Sequence, residues 1–199
     1  ITMSISPLVA IARGQNDTQK ASHYLYNGVI LSGIVGLLIA MLLQAGNSLI
    51  FSIGQDEEVA TMAVPYLEIM GWSTVPMILF LALKQFTDAL EHTKVAMVLS
   101  LLSLPINVFL NWVMIYGKFG FPRMELEGAG IATLITRIII FLALLWTVFK
   151  SPLFKEYIVV KTTAWKLRME SINDLLRIGI PSSLQYGMEV GAFSVSGIL

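Results

Sequence analysis

Long apolar runs broken by short polar stretches set out this chain. Residues 1–12 (ITMSISPLVAIA) are apolar and read as the end of a helix. The polar break Arg13–Ser22 follows, then an apolar run from Tyr24 to Phe51 holding Gly28, Gly33, Gly36 and Gly46. An acidic break, Gly54–Glu58, precedes a second run, Met62 to Leu83, interrupted by Pro65, Gly71 and Pro76. Lys84–Lys94 reads as a polar turn region. The third run, Val95 to Tyr116, carries Pro105, Asn107 and Asn111. A Gly-rich, loop-like stretch, Gly117–Gly130, leads to the fourth run, Ile131–Phe149. The longest polar segment is Lys150–Arg177, and a fifth run begins near Ile178 and continues to Leu199.

Each full run is about 20 residues or more, the length that crosses ~30 Å of hydrocarbon as a helix. Strands of an outer-membrane barrel would be about 10 residues long and strictly alternating, a pattern these runs lack. The expected class is therefore an all-α integral membrane chain. The competing reading, a buried soluble bundle, fits the run lengths poorly.

Composition strengthens that expectation. The chain is 56% hydrophobic and only 13% charged over 199 residues, with a mean hydropathy of +0.76. Soluble domains carry about 25% charged residues. Net charge is zero, so no global basic surface points to nucleic acid. The absence of Cys excludes disulfide frameworks and thiolate chemistry. The chain opens on Ile1 and ends inside an apolar run, and is expected to be a piece of a longer protein.

Cation placement predicts orientation. With Lys84 and Arg137 counted in or at the edge of the runs, the first, third and fifth polar breaks hold nine of the thirteen Lys and Arg residues. The second holds none, and the fourth holds Lys118 and Arg123. Cytoplasmic loops are the cation-rich ones, which puts the odd-numbered breaks in the cytoplasm. Lys150–Arg177 then reads as a cytoplasmic linker between two helix bundles, the plan of many pseudo-symmetric transporters.

Ionisable residues inside the runs are the candidates for function, because charge in hydrocarbon is costly. Glu189 lies about 18 Å past Arg177 along a helix, near mid-membrane. A low dielectric drives a carboxylate toward its neutral form. Such a group can exchange a proton, or bind Na⁺ or an organic cation; snorkelling or a wet cavity without a role is the bland alternative. Gly187, Gly191, Ser194 and Ser196 leave room beside it.

Arg137 is also deep, and is expected to clamp helices or to pair with a carboxylate or carbonyls. Glu68 is placed to line an outward cavity or to hold a kink at Pro65. Asn107 and Asn111 share a helix face, for interhelical hydrogen bonding or for lining a polar cavity. Lys84 and Asp88 have the i, i+4 spacing of a local ion pair. Pro7, Pro65, Pro76, Pro105 and Pro181 interrupt runs or their ends, where proline kinks a helix. His23 and His92 have no ligand spacing, so no metal site is expected apart from Na⁺ at Glu189. There is no phosphate-binding loop motif and no nucleophile–base pairing, so an enzyme is not expected.

Several stretches together resemble the multidrug and toxic compound extrusion (MATE) family, NorM-like branch. These are SPLVAIARGQND at the start, IGQDEEVATMAVPYL, LPINVFLNWVMIYGKFGFPRMELEGAGIAT, and RIGIPSSLQYGMEVGAF near the end. The resemblance implies a two-bundle transporter, of which this chain holds the end of helix 2, helices 3 to 6 and most of helix 7. Residues 1–149 would be part of the N-lobe, 150–177 the inter-lobe linker and 178–199 the first C-lobe helix. It further implies alternating access and export of drugs and other organic cations, driven by Na⁺ or H⁺, without a cofactor.

Glu189 matches the family's seventh-helix carboxylate, associated with cation coupling and substrate binding. Tyr186-Gly187-Met188 departs from the aromatic pairs common there. The implied setting is the bacterial inner membrane, multi-pass, as a monomer whose partners are its substrates, its coupling cation and the bilayer. A lipid-linked oligosaccharide flippase of a related family is the alternative, with a non-transporting membrane subunit a third. The flippase reading asks for several cations in the N-lobe cavity, where only Arg137 and Lys84 are candidates.

Overall fold

The computed structural model describes residues 2–46, 57–158 and 168–196. The predicted end of the first long run, the Gly54–Asp56 part of the acidic break, and Lys161 and Lys166 of the linker lie outside the described residues. The described residues form six helices, α1 (Thr2–Gly14), α2 (Thr18–Gly46), α3 (Glu57–Ala89), α4 (Thr93–Tyr116), α5 (Glu125–Lys150) and α6 (Met169–Ser196), with no strand among them. Four stretches are long and apolar enough to cross a membrane: Thr18–Gly46, Ala63–Ala89, Thr93–Tyr116 and Glu125–Lys150. Their outer surfaces stay apolar, with Leu42, Leu101, Leu104 and Val108 exposed. Such a surface suits a lipid solvent and would be an aggregation hazard in water.

Three boundaries differ from the sequence expectation. Helix α3 runs through Lys84–Asp88 to Ala89, and the turn is confined to Leu90–His92. Lys84, Gln85 and Asp88 stay partly exposed on a helix that buries Phe80, Leu83 and Phe86. Lys84 and Asp88 pair at 2.5 Å, as their spacing predicts. Helix α5 starts at Glu125, ahead of Ile131. Glu125 and Glu127 sit in its first turn, where carboxylates complement the helix dipole. Helix α6 starts at Met169, ahead of Ile178, so the last part of the polar stretch is helical. The five prolines singled out above all lie within helices, and none ends one. Membrane helices tolerate this because neighbouring groups re-satisfy the freed backbone.

The hydrophobic core sits at one end of the bundle. It joins Ile5 and Val9 of α1, Leu25 of α2, Leu83 and Phe86 of α3, Leu144 and Val148 of α5, and Leu175 of α6. Phe154, just past α5, packs on Phe86 and edge-on against His92. The same end gathers the odd-numbered breaks: Arg13 bonds Glu91 at 3.0 Å, joining the end of α1 to the α3–α4 turn. The first and third breaks thus lie together at this end.

Glycine governs the α4–α5 corner. Gly117 caps α4 in the left-handed conformation (φ +63°), and its N–H bonds the Val113 carbonyl. The chain folds back so that Met124 N–H bonds the Met114 carbonyl at 3.1 Å. Gly128 then crosses so close that a Cβ there would stand 2.9 Å from the Met114 carbonyl carbon and oxygen. Gly128→Ala should therefore lower the stability of the full-length parent by about 1–3 kcal/mol, the range for overpacking. Gly14→Ala, with nothing within 4 Å of its added Cβ, should leave it near wild type. Thermal melts of the detergent-solubilised protein test this; equal melting temperatures for both variants would contradict the close approach.

Candidate functional site

The intramembrane polar residues collect on the face where α5 meets α3 and α4. Helix α5 packs extensively on both. Thr136, buried on α5, donates to the Ala132 carbonyl at 2.7 Å. Its hydroxyl oxygen accepts from Asn107 Nδ2 of α4 at 3.3 Å. Asn107 Oδ1 in turn accepts from Asn111 Nδ2 at 2.9 Å. The i, i+4 asparagines therefore do make an interhelical bond, through Thr136. The buried Asn111 Oδ1 has no partner among the described residues.

One residue along, half-buried Arg137 reaches α3. Its Nη1 donates to Ser73 Oγ at 2.5 Å. Ser73 is fully buried and donates onward to the Met70 carbonyl at 2.7 Å. Among the described residues Arg137 forms no ion pair. A pocket of about 380 Å³ opens beside it, lined by Phe80, Leu104, Asn107, Thr136 and Arg137 among others. Sequence reasoning placed Arg137, Asn107 and Asn111 in the membrane separately; the structure brings them together. It missed Ser73 and Thr136, because hydroxyls in apolar runs carry no signal until their facing helix is known.

The two acidic candidates stand elsewhere. Glu68 is exposed on α3, and only its backbone is engaged, its carbonyl accepting from Gln44 Nε2 at 2.7 Å. It joins neither Arg137 nor the asparagines. Glu189 is exposed on α6 with no hydrogen bond or ion pair among the described residues. Around it Leu184, Gln185, Tyr186, Met188 and Val190 are exposed too, and a Cβ on Gly187 or Gly191 would meet nothing within 4 Å. The first half of α6 is docked and buries Ser171 and Leu175; residues 184–192 are exposed.

That docking is polar at the cation-bearing end. Tyr24 of α2 donates its hydroxyl to Asp174 Oδ2 of α6 at 2.8 Å. The Arg168 backbone N–H donates to the side-chain oxygen of buried Asn27 at 3.2 Å. A pocket of about 270 Å³ lies there, lined by Asp17, Lys20, His23, Tyr24, Arg168 and Asp174 among others. Nothing in the sequence pairs Tyr24 with Asp174 across so long a stretch of chain. Among the described residues no cluster of His, Cys, Asp and Glu has the makings of a metal site.

Long apolar helices, a cation-bearing end, and polar side chains meeting between helices define a multi-pass integral membrane protein. Comparison with known proteins narrows the class. The family model described as MatE matches residues 1–113. The Multidrug resistance protein NorM of Vibrio cholerae is 32% identical over 199 residues, covering 100% of this chain and 43% of that protein. The Probable multidrug resistance protein NorM of Bacillus subtilis is 30% identical over 200 residues, covering 100% of this chain and 44% of its own length. The inward-facing conformation of a multidrug resistance MATE family transporter superposes with a TM-score of 0.80 at 24% identity, covering 92% of this chain and 40% of that one. The outward-facing conformation of such a transporter gives a TM-score of 0.81 at 25% identity, covering 96% and 42%. The chain belongs to the MatE family and spans less than half the length of these relatives.

Two predictions follow from the geometry. A double-mutant cycle on Tyr24→Phe and Asp174→Asn in the full-length parent should give a coupling of about 1.5–3 kcal/mol in thermal unfolding, the size of a hydrogen bond to a charged group; additive effects would mean that the bond contributes nothing. At the same end, the hydrogen bond from Arg13 holds the Glu91 carboxylate below its ordinary range. The stabilisation is fully present above the ordinary Glu range and disappears as pH falls through the lowered value. The melting-temperature gap between wild type and Glu91→Gln should close in acid, and should be small and salt-sensitive at neutral pH because both groups are solvent-exposed.

Proposed function

We propose that the full-length protein is a cation-coupled antiporter that exports drugs and other organic cations by alternating access. Residues 1–149 belong to its N-terminal bundle, 150–177 bridge to the second bundle, and 178–199 open that second bundle. The bridge is partly helical, since α6 starts at Met169.

One observation carries the reading. Glu189 sits on an unbroken helix, about 18 Å past Arg177, with no partner among the described residues and an uncovered, largely apolar surface around it. A carboxylate at that depth is costly unless it meets a cation, a proton or a polar cavity. The described part superposes about equally well on inward-facing and outward-facing relatives, with TM-scores of 0.80 and 0.81. The flippase alternative asks for several free cations in the N-terminal bundle. Lys84 is taken by Asp88, which leaves Arg137 alone among those weighed. The coupling ion, Na⁺ or H⁺, is bound at Glu189 without any organic cofactor.

Export of ethidium from an efflux-deficient bacterium carrying the full-length parent tests the proposal. Glu189→Gln should reduce export by about tenfold or more, a loss of some 1.4 kcal/mol or more in coupling, at unchanged protein level in the membrane. Full export by the Gln variant would remove Glu189 from the mechanism. If wild type exports no cation under either a Na⁺ or a proton gradient, the antiporter reading fails.

A further inference from the structure

We infer that the α4–α5 corner is a phospholipid-docking surface: an aromatic anchor that seats this end of the bundle at the boundary between hydrocarbon and headgroups, whatever the protein exports.

Three observations meet at the corner. The first is a cluster of rings turned outward. Phe109 and Trp112 of α4 and Phe119 of the loop after it lie 5.9 to 6.3 Å apart, centroid to centroid, with Trp112 and Phe119 edge to face. All three are exposed, and so are Tyr116 and Phe121 of the same stretch. In water such a patch would be an uncovered liability. At a membrane boundary it is at home, because rings with an apolar body and a polar edge collect at the headgroup level.

The second is the backbone that holds Phe119 out. Its φ is +56°, between Gly117 at +63° and Gly120 at +86°. The left-handed region suits glycine, whereas a bulky side chain there is an outlier that stores strain. The corner leaves little room to relax. Met124 N–H bonds the Met114 carbonyl at 3.1 Å, and Gly128 crosses hard against the same carbonyl. The strained backbone presents a ring that is still 74% exposed. In water both features are unfavourable. A ring inserted among acyl chains gains from burial and offsets the strain.

The third is depth and charge. Trp112 lies about 28 Å past Thr93 along α4, close to the ~30 Å thickness of the hydrocarbon. Leu101, Val108 and Trp112 follow one stripe of that helix and are all exposed, so the rings continue an apolar surface. Exposed Lys118 and Arg123 flank Phe119 and Phe121. Arg123 shares its charge with Glu125 at 3.2 Å, and Lys118 forms no ion pair among the described residues. Cations beside rings match phosphates on one side and acyl chains on the other. A protein partner covering the rings would instead have to desolvate both cations.

Photocrosslinking in the full-length parent tests this. Phe119 is replaced by p-benzoylphenylalanine, an aromatic of similar shape at an exposed position, and the protein is irradiated in a bacterial membrane. The same replacement at Leu101, lower on the stripe, is the positive control. Mass spectrometry of the peptide holding residue 119 should show a phospholipid adduct. A cross-link to another segment of the parent, or to a second copy, would assign the corner to a protein interface and overturn the inference. So would the absence of any adduct at 119 while Leu101 yields one, because the ring would then stand in water.

A second measurement fixes the depth. The parent and its Trp112→Phe variant are reconstituted in phosphatidylcholine vesicles brominated either near the headgroup or near the chain end. The difference between the two proteins isolates the Trp112 emission. Bromines near the headgroup should quench it more strongly than those near the chain end. Equal quenching, the reverse order, or no quenching by either would overturn the placement at the boundary.

Discussion

Hydrocarbon cannot hydrogen-bond, so every polar group inside it must find a partner in the protein or be put to use. That constraint explains the layout of this chain. Its backbone is helical wherever it crosses the membrane, and the hydroxyls of Ser73, Thr133 and Thr136 bond carbonyls of their own helices. Charge is pushed to the ends, where Arg13 meets Glu91 and Lys84 meets Asp88. What remains inside the apolar spans includes Asn107, Asn111 and Arg137 in one cluster, with Glu68 apart from it on α3.

Helix α6 divides into two halves with different surroundings. The Tyr24–Asp174 and Asn27–Arg168 hydrogen bonds fasten its first half to α2. The stretch carrying Glu189, 184–192, stays exposed. A chain that spans 43–44% of its NorM relatives has room for the partners such a surface requires. In an alternating-access transporter the fastened half would be the place where one bundle is held against the other, and the exposed stretch the wall of the translocation path.

Much of this was legible in the sequence because its signals are local. Run length gave the four spans in α2 to α5, and i, i+4 spacing gave the Lys84–Asp88 pair. The errors have a common physical origin, since polarity alone does not break a helix. Lys84–Asp88 continued α3 because Phe86 on the opposite side was buried. Gly128 and Gly130, read as loop residues, lie inside α5 at points of close packing, against Met114 and against Tyr66 and Ile69. The candidate cluster was only half visible. Asn107 and Arg137 announce themselves as polar residues in apolar runs, whereas Ser73 and Thr136 gain their meaning only from the helix they face. The Tyr24–Asp174 bond joins residues too far apart in the chain for any local pattern to reveal.

Glu189 is proposed as a cation-binding carboxylate in a cavity within the membrane. Labelling of the full-length protein with a hydrophobic carbodiimide, read by mass spectrometry at Glu189, tests it most directly. The account predicts that Glu189 is modified in the bilayer, and that saturating ethidium or the coupling cation suppresses the modification while exposed Glu125 reacts as before. Labelling of Glu189 that no cation suppresses would contradict it.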